Sequence, residues 1–83
     1  MIIKKDTAAG AVYLKLRDGE VAETVEVSDA DAYVDLDAEG YVLGIEFLSE
    51  AEYEEFERAR QRPDGVEVPE RIEDRTDFHL LPA

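Results

Sequence analysis

The side chains best able to do chemistry are four carboxylates within residues 35–46. Together with one glycine they match the calcium-ligand positions of an EF-hand loop. The carboxylates are Asp35, Asp37, Glu39 and Glu46, and the glycine is Gly40. An EF-hand also needs a helix that enters the loop, whereas residues 24–34 combine strand alternation with a polar turn. We therefore interpret this run as a calcium-loop look-alike and predict no metal site.

Asp35 and Glu46 also form a candidate pair for general acid–base catalysis. Alternation places both on the same face of two adjacent strands, with Asp37 near the turn. Acid–base chemistry needs a concave, water-excluding site that shifts pKa values, and a flat exposed sheet does not supply one. The competing interpretation is a cross-strand ion-pair network that holds the register, at roughly 0.2–1 kcal/mol per pair. We favour the network, and predict no catalytic residue and no enzymatic activity.

Cysteine and histidine add little chemistry. The chain has no cysteine, which excludes disulfides, thiolate zinc sites and cysteine nucleophiles, and a single histidine excludes a multi-histidine metal site within one chain. His79 stands between Phe78 and Leu80, where we expect it to pack rather than to react. We also find no glycine-rich phosphate loop, and predict no cofactor.

Charge narrows the range of partners. Among 83 residues, 22 Asp and Glu oppose 9 Lys and Arg, which gives a net charge of −13. Such a surface repels nucleic acid, because affinity for phosphate backbones comes from Lys and Arg. The charge favours either plain solubility or attraction to a basic protein partner. No apolar run approaches the roughly 18 residues of a membrane span, and no signal peptide is recognisable. We expect a cytoplasmic protein that does not bind membranes.

The first 48 residues alternate with the period of half-buried strands. We predict a short strand over residues 2–5 and a first hairpin that joins residues 12–16 to residues 21–27 through Asp18-Gly19. This pairing sets Leu14 opposite Glu23. That apolar–acidic pair is a conflict, so either Glu23 lies at the sheet margin or the register is wrong.

A second hairpin is predicted to join residues 32–36 to residues 41–47. A four-residue loop between them would pair Val34 with Leu43 and Tyr33 with Gly44. An aromatic ring across a glycine covers backbone that would otherwise be solvated, which supports this register.

The period then changes to that of a helix over residues 49–62. Ser49 and Glu52 form a capping box, and the apolar stripe consists of Tyr53, Phe56 and Ala59. In the tail, residues 63–83, Val66 and Val68 are candidates for an edge strand. We predict one α+β domain, residues 1–83, with a small antiparallel sheet of four to five strands in two hairpins, one C-terminal amphipathic helix packed on it and an extended tail.

Three motifs follow one another in residues 3–48. They read Ala11-Val-Tyr-Leu-Lys-Leu16, then Val21-Ala-Glu-Thr-Val-Glu26, then Val34-Asp-Leu-Asp-Ala-Glu-Gly40 with Val42-Leu-Gly-Ile-Glu46. In this order and spacing they resemble a small prokaryotic family, the YuzE-like domain of unknown function (domain of unknown function 2283). The resemblance implies a sheet-rich fold and no established activity. The positions that match its motif are Asp35, Gly40, Gly44 and Glu46.

The leading functional hypothesis is a non-enzymatic interaction module that self-associates. Phe78, Leu80 and Leu81 need cover, and we predict that they contribute to a homodimer interface. The alternative is an acidic antitoxin-like partner of a small basic toxin, which a small basic open reading frame beside the gene would favour. A metal-dependent hydrolase built on the carboxylates is the third hypothesis.

Overall fold

In the part of the chain that the structure describes, a single antiparallel sheet and one helix make up the fold. The computed structural model describes residues 2–6, 8, 10–27, 31–61 and 68–72. Its elements are β1 (Ile2–Asp6), β2 (Ala11–Lys15), β3 (Glu23–Glu26), β4 (Ala32–Leu36), β5 (Val42–Phe47) and α1 (Glu50–Arg60). The strands lie in the order β1-β2-β5-β4-β3. The predicted α+β class, with five strands and a C-terminal helix, is confirmed.

The predicted first hairpin is wrong. β2 pairs with β1 and β5, while β3 pairs with β4 at the far edge of the sheet. Burial explains this order. Leu14 is fully buried and pairs with Ile45, whereas Glu23 is exposed at the edge of the sheet. An interior strand has a neighbour on each side, which suits β2 because its apolar side chains are buried. The acidic strand β3 lies at an edge, where its charged side chains stay in water.

The second hairpin is confirmed, but its predicted register is wrong by two residues. Val34 lies opposite Ile45, and Asp35 lies opposite Gly44, with a bulge between Asp35 and Leu36. The turn accounts for one residue of this shift, and the bulge accounts for the other. The N–H of Asp37 donates to the carbonyl of Tyr41 at 3.0 Å, so only three residues form the loop. Gly40 ends that loop at φ +89°, a conformation that favours glycine.

The helix packs on one face of the sheet, as predicted. The Ser49 hydroxyl caps it by accepting from the N–H of Glu52 at 3.2 Å, and the helix ends at Arg60, two residues before the predicted boundary. Phe56 and Ala59 are buried, and the Phe56 ring lies 5.1 Å from the ring of Phe47 on β5. In the described ranges, α1 falls short of the length and apolarity that a membrane-spanning helix needs.

Residues 68–72 return to the sheet beside the start of β5. The N–H of Val42 donates to the carbonyl of Glu70, and the N–H of Ile72 donates to that of Gly40, both at 2.9 Å. Ile72 is buried in the core and Val68 packs against it, but Val68 belongs to no strand. Val66, Phe78, His79, Leu80 and Leu81 lie outside the described residues.

Candidate functional site

The face of the sheet opposite α1, which we call the open face, carries polar side chains in two cross-strand rows. Each row follows from the strand register, because residues directly opposite one another point to the same side. The first row is Lys15, Gly44, Asp35 and Thr24. The second row is Lys4, Tyr13, Glu46, Tyr33 and Glu26. The open face is therefore the place where most of the polar motif residues come together.

A hydroxyl–carboxylate network of Tyr13, Asp35 and Thr24 links three strands, β2, β4 and β3, across the open face. The Tyr13 hydroxyl on β2 donates to Oδ2 of Asp35 on β4 at 3.0 Å. The Thr24 hydroxyl on β3 donates to Oδ1 of the same carboxylate at 2.7 Å. Hydrogen bonds to a charged acceptor are roughly twice as strong as neutral ones. The prediction of a cross-strand ion-pair network is wrong at Asp35, because the partners of its carboxylate in this network are two hydroxyls.

Gly44 on β5 makes room for this network. The Tyr13 side chain crosses β5 directly above Gly44 on its way from β2 to β4. A Cβ on Gly44 would clash with the Tyr13 hydroxyl oxygen, and would lie 2.5 Å from Cζ and 2.9 Å from Cε1. The prediction that Tyr33 covers Gly44 is wrong, because Tyr13 lies over Gly44 and Tyr33 pairs with Glu46.

The environment of Tyr13 keeps its hydroxyl protonated. Burial raises the pKa of Tyr13 to about 12, and the hydrogen bond to Asp35 and the charges of Asp35 and Glu46 act in the same direction. A phenol with this pKa donates a hydrogen bond at neutral pH and is a poor base or nucleophile. The network can therefore fix the relative positions of strands, which needs no proton transfer.

The calcium-loop look-alike is a β-hairpin in the structure. β4 enters it and β5 leaves it, where an EF-hand would have helices. Oδ1 of Asp37 accepts from the backbone N–H groups of Glu39 and Tyr41, both at 2.9 Å, and so closes the turn. Asp35 and Glu46 share the open face but stand in different rows. Among the described residues, no three His, Cys, Asp or Glu side chains cluster as metal ligands.

A second cluster, which the sequence did not reveal, fastens residues 68–72 to the β4–β5 hairpin. The Arg17 guanidinium lies 4.6 Å from the ring centre of Tyr41, and that of Arg71 lies 5.8 Å from it. Arg17 also binds Glu70 at 2.7 Å, and Arg71 Nε donates to the carbonyl of Glu39 at 2.7 Å. Arg17 and Glu70 are 53 residues apart, so no local spacing indicates the pair.

Comparison with known proteins identifies the family to which this chain belongs. The family model described as Protein of unknown function (DUF2283) matches residues 4–58. The chain belongs to the DUF2283 family. The match includes most of α1, so the helix, which lay outside the recognised segment 3–48, is part of the DUF2283 domain. No curated protein and no solved structure matches the chain.

In this DUF2283 domain, two of the four motif positions, Asp35 and Gly44, belong to the hydroxyl–carboxylate network. Asp35 accepts hydrogen bonds from Tyr13 and Thr24, which come from the two other motifs. Gly44 lies beneath the Tyr13 side chain. Gly40 ends the turn at positive φ. Glu46 stands exposed between Tyr13 and Tyr33 and is the motif residue with the least internal role among these.

Proposed function

We propose that this DUF2283 domain is a non-enzymatic interaction module that self-associates. The chemistry of its polar face supports the proposal. Both carboxylate oxygens of Asp35 accept hydrogen bonds from hydroxyls, and the raised pKa of Tyr13 keeps its phenol protonated. The groups with the best potential for acid–base work thus have a structural role.

The observation that carries the proposal is the state of the sheet edges. No described residue pairs with the outer side of β1 or of β3. On β1, Ile2 is 52% exposed and Ile3 is 45% exposed. An edge strand with accessible backbone groups and apolar side chains is a template for pairing with another chain. Association removes from water both this apolar surface and the edge backbone groups that have no strand partner among the described residues.

Sedimentation equilibrium at low and at high salt tests self-association. The net charge of −13 per chain opposes the approach of two copies, and salt screens that repulsion. We expect a reversible dimer that tightens as salt rises. A mass of 9.3 kDa at high salt over the whole accessible range of concentration would contradict the proposal.

The tail remains a candidate for the dimer interface. A chain that ends at Asp77 lacks Phe78, Leu80 and Leu81, the predicted interface residues. If the tail forms the interface, this shorter chain is monomeric under conditions in which the full chain is dimeric. An unchanged dimer removes the tail from the interface but leaves self-association in place.

An antitoxin-like role is the second candidate, and two exposed glutamates on the open face support it. Glu26 and Glu46 are exposed there and would attract a small basic protein. The test is co-purification, at low salt, with the product of a small basic gene next to this one. The double variant Glu26→Gln with Glu46→Gln should bind the basic protein more weakly than the wild-type chain does. Failure of the two wild-type proteins to co-purify would contradict the role.

A further inference from the structure

The direction of the backbone groups on β1 follows from the neighbouring ladder. The N–H of Leu16 donates to the carbonyl of Leu43, which continues the β2–β5 pairing. Successive residues of a strand point their N–H and C=O groups to opposite sides, so Tyr13 and Lys15 point theirs toward β1. Their partners Lys4 and Ile2 point back toward β2. The N–H and C=O groups of Ile3 and Lys5 therefore point away from the sheet.

The other edge is less suited to a second copy of this chain. The N–H of Val27 donates to Ala32, so Thr24 and Glu26 present the outward backbone groups of β3. β3 carries Glu23 and Glu26 in four residues. Two such strands side by side would bring like charges together, which is destabilising. β1 carries two lysines and two exposed isoleucines instead, and is the edge where two acidic chains repel each other least.

We propose that β1 pairs antiparallel with β1 of a second copy about a two-fold axis, which joins two five-stranded sheets into one of ten strands. This inference rests on the proposed self-association and names its surface. A two-fold axis at Lys4, the middle residue of β1, pairs all five residues of the strand. Ile3 then lies opposite Lys5 of the partner subunit, and these two residues exchange both hydrogen bonds.

Lysines on an edge strand usually discourage pairing with another strand, and this register keeps most of them apart. Lys5 faces Ile3 of the partner subunit rather than another lysine, so its aliphatic stem covers that isoleucine. Like charges meet only at Lys4, which is exposed on the open face.

Pairing of β1 with β3 of the next copy has complementary charges but is a head-to-tail contact, which closes only when the copies form a ring. β1 and β3 run in the same direction within the sheet, so a head-to-tail repeat by translation would be parallel and would leave a new free edge at each step. Most soluble oligomers have closed symmetry, and a two-fold dimer has it.

Proline at an outward position tests the interface. Lys5→Pro removes a donor that faces away from β2, so the β1–β2 bonds remain. We expect the dimer dissociation constant to rise about tenfold or more, because each subunit loses one intermolecular bond. Glu26→Pro, at the matched outward position of β3, should leave the dissociation constant unchanged. Circular dichroism on both variants checks that the fold persists.

A charge-swap experiment tests the register without relying on proline. Isotope-labelled Lys4→Glu chain is mixed with wild-type chain, and native mass spectrometry counts the dimers. Opposite charges at the two-fold axis should make the mixed dimer exceed its statistical share of one half. A statistical mixture would overturn the register.

The remaining outcomes separate this inference from the proposed function. A wild-type dimer that Lys5→Pro leaves intact would overturn the β1 interface while self-association stands. Loss of the dimer in Glu26→Pro, or growth of open polymers, would also overturn it. A wild-type monomer under all conditions would overturn both proposals.

Discussion

Substitution of Gly44 by alanine tests the hydroxyl–carboxylate network most sharply. The new Cβ would lie 2.5 Å from Cζ of Tyr13 and still closer to the hydroxyl oxygen, so the ring must move away from β5. That movement breaks the 3.0 Å hydrogen bond to Asp35. Gly44 does not have a positive φ, so alanine suffers no backbone strain and gains a little from reduced unfolded-state entropy.

The competing effects can be compared in magnitude. Loss of a hydrogen bond to a charged group costs about 1.5–3 kcal/mol, less here because the network is only partly buried, and forced side-chain movement costs about 1–3 kcal/mol. The gain from removing a glycine is about 0.4–1 kcal/mol. We expect the free energy of unfolding to fall by about 2 kcal/mol, which lowers the Tm by roughly 8–16 °C for a domain of this size.

Urea unfolding of a double-mutant cycle is the assay. In a Tyr13→Ala background the ring is absent, so Gly44→Ala should cost nothing further. In a Tyr33→Ala background it should cost as much as in the wild type, because Tyr33 pairs with Glu46 instead. If Gly44→Ala is as stable as the wild type, or if its cost survives the loss of Tyr13, the proposed packing of Tyr13 on Gly44 is wrong.

Three further predictions concern other parts of the molecule. The pKa of Tyr13 rises from 10.0 to about 12 on folding, so the contribution of the network to the free energy of unfolding is complete below pH 10.0 and is lost as pH rises toward about 12. Urea unfolding measured against pH should show this loss of stability. An equal loss in Tyr13→Phe would exclude Tyr13 as its source. Calorimetric titration of metal-stripped protein with calcium should show no binding of sensor-like affinity, and micromolar binding that Glu46→Gln abolishes would restore the calcium-loop interpretation. Ile72→Ala should lower the free energy of unfolding by about 2–4 kcal/mol, because Ile72 is buried in the core; an unchanged urea midpoint would show that residues 68–72 do not pack there.

Local pattern was enough to predict the elements of this fold. Period-two alternation located the strands, and the capping box at Ser49 located the helix start, because both signals depend on neighbouring residues. The same-face position of Asp35 and Glu46 also followed from alternation.

Strand order and register depend on distant residues, and there prediction failed. Asp18-Gly19 suggested a tight hairpin, but burial of Leu14 against Ile45 decided the partner of β2. The register of the second hairpin also depends on its three-residue loop and on the bulge between Asp35 and Leu36, and strand alternation encodes neither of them. Tyr13 and Asp35 stand on strands that flank β5, and the Tyr13 side chain can cross β5 to reach Asp35 because Gly44 has no side chain there. No local spacing encodes this arrangement.

The most direct test of the central claim is the mass of the wild-type chain at high salt, measured by sedimentation equilibrium. If the domain is a self-associating module, the mass approaches twice 9.3 kDa as concentration rises. A mass that stays at 9.3 kDa throughout would contradict the account.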